Sequence, residues 1–169
     1  MHLFLQWQVD RMFQLKYERL DFLDSQKHLY RKEAGGVVCF EGRVRNHNNN
    51  RQVKQLNYEA FDEMAISEGN KILSEAFEKF QIIEALALHR VGELQVEETA
   101  IWVGISAAHR EPAFLACQYI VDQIKMRVPI WKKEFYVDGD SDWVKCLACQ
   151  EKGLPHSKHE HFHHQQKSK

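Results

Sequence analysis

Pro129 ends the second long apolar-periodic segment of this chain and forces a change of element. Val128, just before it, is pushed toward extended geometry, so a helix running over 110–127 must stop near Arg127. Lys125 then falls in the last helical turn, and Lys132 falls on whatever element follows. A reversal that carries an ammonium group on each side, backed by His109, Arg110 and Arg45, suits a pocket for an anion.

The rest of the pattern fixes the fold class. Residues 13–21 alternate as a strand, and 21–33 have helical spacing that stops at Gly35-Gly36, where a helix-ending glycine is expected. Val37 begins a buried strand that runs to Arg45, and Gly42 within it marks a bulge or a close backbone approach. Residues 46–50, Asn-His-Asn-Asn-Asn, read as a mobile turn-rich loop. Alternation returns over 53–61. A helix follows over 62–80, its buried set being Met64, Ile66, Ile72, Leu73, Ala76, Phe77 and Phe80. Strands over 82–91 and 99–106 flank an acidic turn at Glu97-Glu98. The helix over 110–127 offers Phe114, Cys117, Tyr119, Ile120, Val121 and Ile124 as its apolar side, and a strand over 131–137 comes after. Several neighbouring strands have no helix between them, which predicts α+β rather than a doubly wound sheet. No internal repeat is visible.

Composition narrows the function. At 169 residues and 44% hydrophobic, the chain can bury one core, with a small appendage besides. Its 23 basic and 24 acidic side chains nearly cancel, which argues against a non-specific nucleic-acid or membrane binder. Any anion site must therefore be local. No apolar run approaches the ~18 residues of a membrane span, and residues 1–10 lack the basic start and cleavage site of a secretory signal. Four cysteines are too few for a disulfide scaffold, so a reduced, cytoplasmic setting is expected. The expected organisation is an extension over 1–11, a folded domain over 12–145, and a Cys/His-rich flexible tail over 146–169.

Each motif admits a plain reading beside a functional one. Ser106-Ala-Ala-His109-Arg110-Glu111-Pro112 marks a strand end and a helix start, with Pro112 in the first turn. Free N–H groups there favour an anion and Arg110 adds a bidentate donor; alternatively, Arg110 pairs with Glu111. Lys125 at a helix end is, by itself, most often a dipole-satisfying surface charge. With Lys132 returning beside it, like charges would lower each other's pKa and make one lysine a proton acceptor. Arg43 and Arg45 leave one strand face; Arg45, beside His47, is the site candidate, and Arg43 the structural cation. Cys39 and Cys117 fall in apolar periodic segments and read as core thiols, with no group placed to activate either. In the tail, Cys146-x-x-Cys149 has zinc-binding spacing, and His156 and His159 could complete four ligands. A His-rich segment that holds metal loosely is the alternative.

Four blocks, in order, resemble one family. They are Gly35-Gly36-Val37-Val38 through Phe40-x-Gly42-x-Val44-Arg45-x-His47-Asn48; Leu88-His89-Arg90-Val91-Gly92-Glu93-Leu94; Ser106-Ala-Ala-His109-Arg110; and Lys125-x-Arg127-x-Pro129-Ile130-Trp131-Lys132-Lys133-Glu134. From about Phe13 to Trp143 the chain resembles the catalytic (large) subunit of molybdopterin synthase. The resemblance implies an α/β hammerhead-type fold with an additional antiparallel β subdomain. It implies a sulfurtransferase that converts cyclic pyranopterin monophosphate to molybdopterin. Its sulfur would arrive as a thiocarboxylate on the C-terminal Gly-Gly of a small ubiquitin-like subunit. Two large subunits would form a central homodimer with a small subunit at each end, a heterotetramer. Lys125 and Lys132 would be catalytic; Arg45, His109 and Arg110 would hold the substrate, some of them from the neighbouring subunit. No metal, nucleotide, nucleic acid or membrane is required.

Residues 1–11 precede the family's usual start, with Met12 an alternative first residue, and the tail is not accounted for by the resemblance. Two other readings stand beside it. One is a metal-binding accessory or delivery protein that works through Cys146, Cys149 and the tail histidines. The other is a partner-binding relic without turnover, against which the full set of motif cations argues.

Overall fold

The structure, a computed structural model, describes residues 13–139 and 141–144. It is α+β, a hammerhead-type body carrying an antiparallel β subdomain. In chain order the elements are β1 (Phe13–Lys16), α1 (Leu23–Lys27), β2 (Gly36–Arg43), β3 (His47–Asn48), β4 (Arg51–Ala60), α2 (Asp62–Lys79), β5 (Ile82–Arg90), β6 (Gly92–Gln95), β7 (Thr99–Ala107), α3 (Arg110–Arg127), β8 (Ile130–Tyr136) and β9 (Ser141–Val144). Four strands make the body's sheet in the order β1-β5-β7-β2, with β1 parallel to β5 and the other pairs antiparallel. The subdomain sheet runs β3-β4-β8-β9, and β6 also pairs with β4.

Helices α2 and α3 pack on one face of the body. Ile72, Leu73, Ala76, Ala116, Ile120 and Ile124 close over Ala85, Ala87, Val103 and Ile105 from the sheet. On α2 the buried stripe is Ala65, Gly69, Ile72, Leu73 and Ala76, a clean helical period. Met64, expected inside, is 52% exposed. The stripe is rotated because small residues are needed opposite Phe13: a Cβ on Gly69 would lie 2.2 Å from the Phe13 ring. Phe114 of α3, also expected inside, is 61% exposed. Cys117 is buried as expected, but Cys39 is not: β2 is an edge strand whose residues alternate, and Cys39 takes the exposed parity with Val37 and Glu41.

The opposite sheet face is covered by residues 17–34, which fold differently from expectation. The strand ends at Lys16, whose carbonyl accepts from Val91 N, and α1 is one short turn with no buried residue. Beyond that the segment is an irregular cover. Leu20 and Leu29 pack on Leu86, Leu88 and Trp102, and Phe22 stacks on Trp102 at 5.6 Å. Gly35 therefore does not end a helix. It lets the chain pass the start of α3, since a Cβ there would meet the Ala108 carbonyl oxygen at 2.5 Å.

Gly42 marks the bulge its setting predicted, and what crowds it is a side chain rather than a second backbone. The pairing with β7 slips between Gly42 and Arg43, and a Cβ on Gly42 would reach Ile101 Cγ2 at 2.6 Å. Residues 46–50, expected as a mobile turn-rich loop, include β3 and the tip of the β3–β4 hairpin, with Asn49 and Asn50 at φ 46° and 62°. Two successive positive φ values give the tight turn whose twist matches its strands. A second small core of Val44, Val53, Leu56, Leu94, Ala100 and Tyr136 fixes the subdomain. At Pro129 the reversal is as expected: Val128 is extended at ψ 126°, and the Pro129 carbonyl accepts from Phe61 N at 3.2 Å.

Candidate functional site

The reversal after α3 places both lysines against one concavity. A cavity of about 300 Å³ lies where the bulged end of β2, the β3–β4 hairpin, β8 and the last turn of α3 meet. Arg43, Arg45, His47, Asn48, Tyr58, Lys125, Lys132 and Glu134 all contribute to its lining. Three of the five expected site residues, Arg45, Lys125 and Lys132, are thus brought together from three elements or their connections.

Strand alternation explains the floor. Lys132, Glu134 and Tyr136 share one face of β8, opposite Tyr58, Leu56 and Val53 of β4. Glu134 is 2% exposed, which would be costly for a carboxylate without partners. It has three. Lys132 Nζ lies 2.8 Å from Oε1, while Asn48 Nδ2 and the Tyr136 hydroxyl donate to Oε2 at 2.9 and 2.7 Å. Burial by itself would raise the Glu134 pKa, but these donors, together with the Lys132 charge, outweigh it and hold the carboxyl below its ordinary value. The group facing Lys132 is thus a carboxylate rather than only a second ammonium, a partner the sequence reading missed.

Around this floor the remaining polar groups have separate tasks. Arg43 donates from Nε and Nη2 to the Glu97 carbonyl at 2.9 and 2.6 Å, bracing the turn where Glu97 has φ 74°, and so is the structural cation expected. Arg45 is exposed within the lining. Tyr58 is pushed up to about 12 by burial and by the Glu134 charge, so its hydroxyl keeps its proton. Behind it, His89 sits edge-on to Tyr58 at 5.1 Å, with Nδ1 2.9 Å from the Arg90 carbonyl oxygen. Full burial lowers His89 to about 4, so the ring is neutral at pH 7.

Arg127, the last residue of α3, holds the reversal from behind. Its two terminal nitrogens reach the two Glu75 oxygens at 2.6 and 2.8 Å, and Nε reaches Glu68 at 2.8 Å. Tyr119 donates to Glu75 at 2.6 Å. The Arg127 and Tyr119 hydrogen bonds lower Glu75 to about 2.

His109 and Arg110 are not in this cavity. They are exposed at the opposite end of the 18-residue α3; at 1.5 Å per residue Arg110 and Lys125 are about 22 Å apart along the helix. One chain cannot bring them together. Lys125 does border a second feature, an open groove of about 540 Å³ between β2 and α3, lined by Phe40, Cys39, Phe114, Leu115 and Val121. Its ammonium lies 6.0 Å from the centre of the Phe40 ring. Among the described residues no group of three or more His, Cys, Asp or Glu is placed to hold a metal ion; Cys146, Cys149, His156 and His159 lie outside those residues. No helix among them is long and apolar enough to cross a membrane.

Comparison with known proteins bears on the family and the fold. Residues 15–127 match the family model described as MoaE protein. The molybdopterin synthase catalytic subunit of Pyrococcus abyssi is 51% identical over 113 residues, covering 63% of this chain and 76% of that protein. Among solved structures, molybdopterin synthase from Staphylococcus aureus superposes with TM-score 0.73 at 31% identity, over 80% of this chain and 97% of the other. A complex of subunits 1 and 2 of the molybdopterin-converting factor from Helicobacter pylori superposes with TM-score 0.65 over 79% of this chain and 90% of the other. At 17% identity that last match bears on the fold alone. By its matching residues and its architecture, the chain belongs to the MoaE family.

Proposed function

We propose that this protein is the catalytic subunit of a molybdopterin synthase. It converts cyclic pyranopterin monophosphate to molybdopterin with sulfur delivered as a thiocarboxylate by a small ubiquitin-like subunit. The observation that carries the reading is the convergence of Lys125, Lys132 and Arg45 on one cavity that opens, at Lys125, into a groove. Both guests are anions. The substrate bears a cyclic phosphate whose opening leaves charge on oxygen, and the carrier ends in a thiocarboxylate. Fixed cations lower the cost of bringing them together and stabilise the charge that develops.

The groove suits an extended peptide tail, and Lys125 stands where tail and substrate would meet. Lys132, held by Glu134, faces the cavity floor and acts on the substrate during sulfur addition. His109 and Arg110 complete the site from a second copy of the chain, because in their own chain they lie at the far end of α3. The working assembly is then a homodimer flanked by two small subunits. A reducing, cytoplasmic compartment fits a thiocarboxylate carrier. A zinc ion on Cys146, Cys149, His156 and His159 is a separate proposal that metal analysis of the purified chain decides.

Reconstitution tests the function. Protein mixed with thiocarboxylated small subunit and the cyclic precursor should give the dithiolene product, and Lys125→Ala and Lys132→Ala should each remove most of it. Unchanged activity in both variants would eliminate this site. Deleting residues 146–169 should leave most activity, whereas a metal-delivery protein would lose its function.

A further inference from the structure

We propose that His47 is the general base that frees the spent carrier from the substrate, a role that rests on the function proposed above. Attack by a thiocarboxylate sulfur forms a C–S bond as a substrate C–O bond breaks, its electron pair leaving with the oxygen, and substrate and carrier are then joined through a thioester. Release requires water at the acyl carbon, and that water must lose a proton as it attacks.

The lining offers few acceptors for it. Guanidinium and ammonium groups only donate. The Tyr58 hydroxyl keeps its proton, and the Glu134 oxygens are occupied by Lys132, Asn48 and Tyr136. Among the described residues, His47 is the one imidazole in the lining. Its Nδ1 lies 2.8 Å from Asn46 Oδ1. An amide oxygen can only accept, so this contact favours the tautomer with the hydrogen on Nδ1, and in the neutral ring that leaves the lone pair on Nε2. A base oriented by a third group is the arrangement that activates nucleophiles in many hydrolytic sites.

The hairpin holds this pair in place. The Asn46 carbonyl accepts from Val53 N at 2.9 Å, and the neighbouring Asn48 is tied to Glu134. In the step itself, Nε2 takes one proton from water as the new C–O bond forms. The tetrahedral oxyanion then collapses, and the C–S bond breaks with its electron pair going to the substrate sulfur. The products are a substrate thiolate, stabilised by the cavity's cations, and the carrier's carboxylic acid, which loses the second proton. The imidazolium returns its proton to solvent, and no oxidant or reductant is consumed.

The test uses the reconstituted synthase with His47→Gln and Asn46→Ala. Product formation should fall about a hundredfold in His47→Gln and by less in Asn46→Ala. A carrier–substrate adduct should accumulate that mass spectrometry detects and hydroxylamine cleaves. His47→Gln turning over at the wild-type rate, or slowed with no adduct, overturns the role of His47 alone. A wild type that forms no dithiolene overturns the proposed function, and this role with it. Unfolding midpoints of both variants should match wild type, since both side chains are exposed.

Discussion

Glu134 shows how a single buried carboxylate can tie a site to stability. Its folded pKa lies below the ordinary value, so its contribution is fully present above the unfolded pKa and is lost as pH falls through the folded one. Glu134→Gln should lower unfolding free energy at pH 7 by about 1–3 kcal/mol, by leaving Lys132 without its counter-charge, and should narrow the gap between pH 7 and pH 4 in urea titrations. His89 works over a different window. Its folded pKa of about 4 lies below the ordinary 6.5, so the unfolded chain binds the extra proton between those values. Stability should therefore fall as pH drops from about 6.5 toward 4, by on the order of 2–3 kcal/mol. His89→Phe should flatten that slope in denaturant titrations across the same range. A slope that survives the substitution would remove His89 as its source. Lys125, Lys132 and Arg45 were legible as residue types around a predicted reversal. Glu134 was not, because a carboxylate two places after a lysine on a strand looks the same whether it faces water or the floor of a cavity.

Among elements, the two long helices and the strands between them lie where their periodicity puts them, since one face of each meets a continuous core, although Met64 and Phe114 face outward. The departures have separate causes. Residues 21–33 have helical spacing but bury only isolated side chains, such as Leu29 and, in part, Phe22, against the sheet. Without a stripe to bury, helical propensity does not hold a long helix together. The short strands β3, β6 and β9 escaped because they span only two to four residues each and owe their form to pairing with neighbours remote in sequence. The clamp between α2 and α3 is likewise invisible before the helices are packed. Arg127→Met should cost about 1–2 kcal/mol, measured by thermal unfolding, through the loss of its bidentate bond to Glu75. It should also slow turnover by displacing the end of α3 that carries Lys125. Arg127→Lys should recover stability better than activity, because an ammonium cannot span both Glu75 oxygens.

At the scale of the whole molecule, the separation of His109 and Arg110 from the cavity is the feature on which the proposed second chain rests. Arg110→Ala and Lys125→Ala should each be inactive alone. Co-expressed in equal amounts, they should recover about a quarter of wild-type turnover. Half of randomly assorted pairs are mixed, and each mixed pair of a two-fold dimer holds one intact site out of two. No recovery in pairs shown to be mixed would mean that His109 and Arg110 do not complete the cavity from a second chain. If each end of α3 serves a different reaction chamber, the helix is a ruler between them. Its number of turns then sets the spacing and the angular phase of the two chambers. Inserting one residue in mid-helix would turn one end by about 100° relative to the other. Each chain would keep its own cavity, while both chambers of the pair would fall out of alignment together.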